Sequence, residues 1–184
     1  MSCGRTNRLS EDDYNWMPYI GNETLVFRSH TGEMDTIFLD GRDTMLAYYD
    51  PLSLNTVKYE IISVSCKHTD ATSDGYRYLQ NHFFQIEKNE DKKATLNSRL
   101  TTKDARFYRL RQPIRIDSLN KEKPSVFTTA YNHYNDVFII KAEANSVYSE
   151  RDNFVTKIYW SKSNGLIRYD KKDSVYWELV KIKK

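Results

Sequence analysis

Apolar and polar residues alternate with a period of two in a dozen short runs, and this alternation constrains the chain more than any other feature. A period of two sends successive side chains to opposite faces of an extended strand, so each run reads as a strand with one buried face. The runs are Thr24–Arg28, Met34–Leu39, Thr44–Tyr49, Val57–Lys67, Tyr76–Glu87, Ala94–Thr102, Ala105–Leu110, Val126–Tyr131, Asp136–Ala142, Phe154–Trp160, Gly165–Tyr169 and Val175–Val180. Polar clusters of turn-forming residues separate many of them: Ser29–Glu33, where Gly32 can take the positive φ of a tight connection, then Asn89–Lys92, Asn132–Asn135, Ser161–Asn164 and Asp170–Asp173. In Tyr76–Glu87 the residues Leu79, Phe83 and Ile86 also fit a helical stripe, but Phe84, Ile86 and Lys88 continue the alternation, and the segment is read as strand. No second helical stripe of that length exists to supply the crossovers of a parallel sheet. The expected fold is all-β, an antiparallel sandwich or half-barrel, or a closed barrel, built from consecutive hairpins.

With 184 residues the chain suits one domain, and 14 Tyr, 8 Phe and 3 Trp supply large rigid groups for one core. Only 6 Gly and 4 Pro exclude collagen-like and low-complexity chains. Residues 1–15 are polar and without period, and read as a flexible N-terminal tether to a single β domain over residues 16–184. The net charge of +3 conceals an asymmetry, since residues 1–50 carry 4 basic and 9 acidic side chains and residues 155–184 carry 8 and 3. Complementary ends are expected to be neighbours in the fold, and the modest excess of basic residues argues against a nucleic-acid partner. In the closing runs Phe154, Ile158 and Trp160 share one face, and Val175, Trp177 and Leu179 share another, so Trp160 and Trp177 are expected in the core.

Among single residues, Cys3 carries the most information. A small residue, a cysteine and then a polar stretch is what remains when a bacterial lipoprotein signal is trimmed, which would put a lipid on the thiol; the same pattern also fits an incidental cysteine in a polar tail. Cys66 lies with Ile62 and Val64 on an apolar strand face and reads as a small hydrophobe, not bonded to Cys3. Arg106, Arg109 and Arg111, with Arg115 beyond and Phe107, Tyr108 and Leu110 interleaved, form the densest basic and aromatic patch; Arg109 and Arg111 would point the same way along a strand, as an anion fork requires. Tyr159, Tyr169 and Tyr176 fall near one face of the closing strands, as an aromatic platform for a sugar or as cross-strand pairs. The four histidines include no metal-ligand spacing, and His68 with Asp70 and Asp74 is the best local cluster, read as turn chemistry. No nucleophile elbow, phosphate loop or dinucleotide fingerprint is present, so neither a cofactor nor a metal is expected, and no catalytic apparatus is visible.

Trp16-Met17-Pro18-Tyr19, Gly21–Phe27, Gly32-Glu33 and Asp35–Phe38 resemble the opening of uncharacterised Bacteroidota lipoproteins of the Bacteroides and Flavobacterium type. Tyr159–Asp170 and Tyr176–Leu179 resemble their terminal hairpins, so the likeness spans most of residues 14–180. It implies a secretion signal upstream of a lipidated Cys3 and a place in the cell envelope as an outer-membrane lipoprotein, on the periplasmic or the surface leaflet. The expected role is a non-enzymatic binding or assembly module for a glycan or an envelope protein. A lipocalin-like or half-barrel carrier of a lipid or other apolar ligand is the alternative, and an enzyme with an unrecognised site is a second one.

Overall fold

A computed structural model of the chain describes residues 5–48, 57–68, 82–98, 100–102, 105–107, 113–143 and 148–184. Strand accounts for 58% and helix for 6%, in a curled antiparallel half-barrel of consecutive hairpins, as the alternation requires. The elements are β1 (Thr6–Asn7), α1 (Glu11–Tyr14), β2 (Thr24–Ser29), β3 (Met34–Tyr48), β4 (Lys58–His68), β5 (His82–Lys88), β6 (Ala94–Ser98), β7 (Thr101–Thr102), β8 (Ala105–Arg106), β9 (Ile114–Arg115), α2 (Ile116–Leu119), β10 (Ser125–Thr128), β11 (His133–Lys141), β12 (Val155–Ser161), β13 (Gly165–Lys171) and β14 (Tyr176–Lys183). Eleven strands form one path, β10-β11-β12-β13-β14-β2-β3-β4-β5-β6-β9, with β1 added parallel to β4 and β7 paired with β8 apart. The only departure from chain order along that path, apart from the short segments near β9, is the pairing of β14 with β2, which brings the basic C-terminal strand beside the acidic opening of the chain.

The registers stack the apolar residues into continuous rows. Ile140, Ile158, Tyr169 and Trp177 stand opposite one another across β11 to β14, and Ile62, Ile86 and Leu96 across β4 to β6. All are buried, as are Trp160 and Leu179, so the inward faces read from the closing strands hold. Cys66 is a buried thiol outside any disulfide on this same side, and burial pushes its pKa up to about 12, which leaves it inert as a nucleophile.

Four local expectations need correction. Residues 5–15 are pinned and do not form a loose tether: β1 pairs with β4, Leu9 and Asn7 are buried, and the Glu60 carboxylate accepts the Leu9 N–H at 2.8 Å and Arg8 Nη1 at 3.2 Å. Ser10 and Asp13 form a capping box on α1, a pattern too short to show periodicity. Met34–Leu39 and Thr44–Tyr48 are one strand, because Asp40-Gly41 forms a bulge (Gly41 φ +79°) where a break was expected; Tyr49 lies outside the described residues. The turn after β10 sits at Thr129–Asn132, three residues early, because the Thr129 hydroxyl accepts the N–H groups of Tyr131 and Asn132. Finally, Ala94–Thr102 divides into β6 and β7, only the first two residues of Ala105–Leu110 are described as strand, and β9 and α2 follow without a sequence signal of their own.

What closes the concave face is the stretch between α1 and β2. Trp16 packs on Phe138 with ring centroids 4.7 Å apart and donates its indole N–H to Asn120. Tyr19 stands among Phe83, Phe84 and Trp160, at centroid distances of 5.8, 6.4 and 5.9 Å. Its hydroxyl accepts the Leu166 N–H at 2.7 Å, and a side chain at Gly165 would overlap that ring, so the glycine is required both by space and by φ +79°. The chain then turns at Gly21, where the buried Glu23 carboxylate accepts the N–H groups of Ile20, Gly21 and Asn22.

Tyr19→Phe keeps the ring but strands the buried Leu166 N–H, and should lower stability by about 1–3 kcal/mol in a denaturant titration. A second expectation concerns acid. Burial works to raise the Asp13 pKa, but the Lys88 ammonium at 2.6 Å and the Ser10 donors outweigh it and hold the carboxyl below its ordinary 3.8. A carboxylate held down stabilises the fold fully above its unfolded value, and that contribution is lost as pH falls through the folded one. Asp13→Asn should therefore be less stable at neutral pH and lose less between there and about pH 3 than the wild type does.

Candidate functional site

The densest gathering of charge and aromatic rings lies on the outer face of β12, β13 and β14. It follows from the same registers as the core, one residue out of phase. Tyr159 stands opposite Arg168 and Arg168 opposite Glu178, while Lys157 stands opposite Asp170 and Asp170 opposite Tyr176. Arg168 Nε donates to Asp170 at 2.6 Å and its Nη1 to Glu178 at 3.0 Å. Its guanidinium lies 3.9 Å from the centre of the Tyr176 ring, 5.2 Å from Tyr159 and 5.7 Å from Phe127. Asp170 also accepts the Tyr159 hydroxyl at 3.1 Å and the Lys157 ammonium at 3.0 Å. The turn of the β10–β11 hairpin reaches over this face, where the Ala130 N–H donates to Glu178 and the Asn132 amide to the Val180 carbonyl.

Electrostatically the cluster is closed on itself. Burial opposes the Arg168 charge, but Asp170 and Glu178 more than compensate and raise its pKa above the ordinary value. The Tyr159 hydroxyl and Asp170 likewise raise that of Lys157. The guanidinium fills the aromatic cage that an outside cation would otherwise use, and both carboxylates are engaged by internal donors. Such an arrangement braces three strands and a hairpin turn, and holds no group poised for proton or nucleophile chemistry.

Of the residues expected to form a site, Tyr159 and Tyr176 meet here. Tyr169 does not join them: the register puts it opposite Ile158 and Trp177, on the core face, where it is buried and stacks on Trp177 at 6.2 Å. Tyr159 is buried as well, so the three tyrosines make no exposed sugar platform. Arg106 falls in β8, and Arg109 and Arg111 lie outside the described residues, as do Cys3, Asp70 and Asp74; His68 ends β4. Arg115 pairs with Asp91 at 2.6 Å beside a shallow depression lined by Asn89, Glu90 and Pro113. Among the described residues no group of three or more His, Cys, Asp or Glu is arranged to hold a metal ion, and no helix is long and apolar enough to cross a membrane. Sequence reasoning missed Arg168, Asp170 and Glu178; their signal was the same two-residue spacing, Arg168 with Asp170 and Tyr176 with Glu178, carried by charged residues.

No family model, curated protein or solved structure matches the chain. Arg168→Met should destabilise the domain by about 3 kcal/mol, since it leaves two largely buried carboxylates without their main partner. The triple variant Arg168→Met, Asp170→Asn, Glu178→Gln should recover much of that loss in the same titration, because no uncompensated buried charge remains and Lys157, which loses Asp170, is partly exposed to water.

Proposed function

We propose that this chain is a non-enzymatic binding or assembly module of the bacterial cell envelope, held at a membrane by a lipid on Cys3 and engaging a partner protein through the outside of its half-barrel. The observation that carries the reading is that the concavity is filled among the described residues: Trp16, Tyr19, Phe83, Phe84 and Trp160 are all buried within it, with Phe84 and Trp160 only 4.1 Å apart. A carrier of an apolar ligand would need that volume, and a glycan module would need adjacent exposed rings on the concave side. Recognition then falls to the outer surfaces and edges, where large apolar side chains such as Met45, Leu46 and Tyr48 are exposed.

The membrane part of the reading rests on Ser2-Cys3 and on the resemblance over residues 14–180. The fold adds a constraint to it. Arg5 is already anchored, its carbonyl accepting the Lys58 N–H at 2.9 Å, so only Gly4 lies between Cys3 and fixed backbone, a reach of about 7 Å. A lipid on that thiol would hold the Arg5 and Lys58 end of the domain against the headgroups, where both cations favour an anionic surface.

The native protein is expected in the membrane fraction, resistant to high-salt washing and released by detergent, with Cys3→Ser moving to the soluble fraction at unchanged circular dichroism. An unmodified Cys3 by mass spectrometry, or salt extraction of the wild type, would overturn the anchor. A stoichiometric apolar molecule retained by the Cys3→Ser domain in native mass spectrometry would overturn the surface reading in favour of carriage.

A further inference from the structure

Among the described residues the fold leaves one long stretch of strand edge open in the middle of its sheet. Up to Phe38, β3 pairs with β2, and from Ile37 with β4 as well, and two further bonds continue the β2 side, Leu39 N–H to the Glu23 carbonyl and Gly41 N–H to the Gly21 carbonyl. There the neighbouring chain turns inward to place Tyr19 in the core. From Arg42 to Tyr48, β3 pairs among the described residues with β4 alone, in unbroken register from Arg42 opposite Val64 to Tyr48 opposite Lys58. Every side chain in this stretch except half-buried Ala47 is exposed, including Met45 (38%), Leu46 (41%) and Tyr48 (44%).

Unpaired strand edges invite another strand, and folded proteins blunt them with prolines, lysines, bulges or short length. The two ends of this sheet are blunted in that way. β9 is two residues long and follows Pro113; β10 follows Lys121-Glu122-Lys123-Pro124 and carries a bulge between Ser125 and Phe127. The open stretch begins just past the Asp40-Gly41 bulge with the charges of Arg42 and Asp43, and the Asp43 carboxylate accepts the Thr44 N–H at 2.8 Å; from Thr44 to Tyr48 it has no proline, no charged side chain and no bulge.

We propose that this edge pairs antiparallel with the same edge of a second copy, extending the sheet across a two-fold axis. The segment is self-complementary. Pairing centred on Met45 sets Met45 opposite its counterpart, Thr44 opposite Leu46, Asp43 opposite Ala47 and Arg42 opposite Tyr48, so no like charges face each other. The Lys58 ammonium lies 5.1 Å over the Tyr48 ring from the β4 side, which leaves the flank toward the open edge for the second copy's Arg42. One strand pair buries far less than the roughly 1,600 Å² of a standard interface, so the dimer is weak and concentration-dependent. The inference is independent of the lipid anchor.

Sedimentation or light scattering of the Cys3→Ser chain from about 1 μM to about 1 mM, the span of weak association, is expected to show mass rising from monomer toward dimer. Met45→Lys, at an exposed position, should keep the wild-type circular dichroism and melting curve and remain monomeric throughout, because it sets two ammonium groups face to face. An equimolar mixture of Met45→Lys and Met45→Glu should restore the dimer. Met45→Cys should form an intermolecular disulfide on mild oxidation, since the closest directly opposed residues bring their Cβ atoms to about 4.5 Å, within the reach of a disulfide. A wild-type chain that stays monomeric, a dimer that survives Met45→Lys, or a Met45→Cys chain that does not cross-link would overturn the proposal.

Discussion

The contact on which the rest of the structure depends is Tyr19 against the Gly165 turn. A curled sheet that does not close has a concave apolar face and must cover it. Here the covering is supplied by the chain itself, through Trp16 and Tyr19, with Leu100, Ala105 and Phe107 in and beside the small β7–β8 sheet in the same core. The Tyr19 hydroxyl accepting the Leu166 N–H ties a segment near the start of the chain to a turn 147 residues later. Burial pushes the pKa of that hydroxyl up, so it remains a neutral acceptor at any ordinary pH. Gly165 is demanded twice over, by its left-handed φ and by the ring that occupies the place of a Cβ.

Two consequences follow from filling the concavity from within. Among the described residues the interior is committed to stability. The inward turn at Gly21 also ends the pairing of β2 with β3 past Gly41, so the same segment that completes the core leaves β3 from Arg42 onward paired, among the described residues, with β4 alone. Core closure and the exposed edge are thus one structural decision. The N-terminal residues that precede this segment are held with it, by the buried Asp13–Lys88 pair and by Glu60, which accepts from both Arg8 and Leu9.

The outer-face cluster shows how a site can be misread from spacing. Period two correctly separates the faces of each strand, but the three tyrosines lie on three different strands, and whether they share a face depends on cross-strand register. Tyr159 pairs with Arg168 and Tyr169 with Ile158, a relation between strands that no single run contains. The arginine thereby stands between Tyr159 and Tyr176, where a sugar platform was expected, and its carboxylate partners saturate it. Cation, rings and counter-ions form one internal brace.

The amino-acid sequence by itself determined the all-β class, most strand positions, the turn at Gly32 with φ +98°, the burial of Trp160 and Trp177 and the apolar setting of Cys66. Each of these is written in alternation or in one residue's conformational range. The tertiary structure alone decided that residues 5–15 are clasped, that Asp40-Gly41 is a bulge within one long strand, that Tyr169 faces the core and that Arg168 gathers Tyr159, Tyr176, Asp170 and Glu178. The physical reason is common to all four. They depend on which strands become neighbours and in what register, and that is set by burying the concave face as a whole, a long-range requirement that local periodicity does not carry.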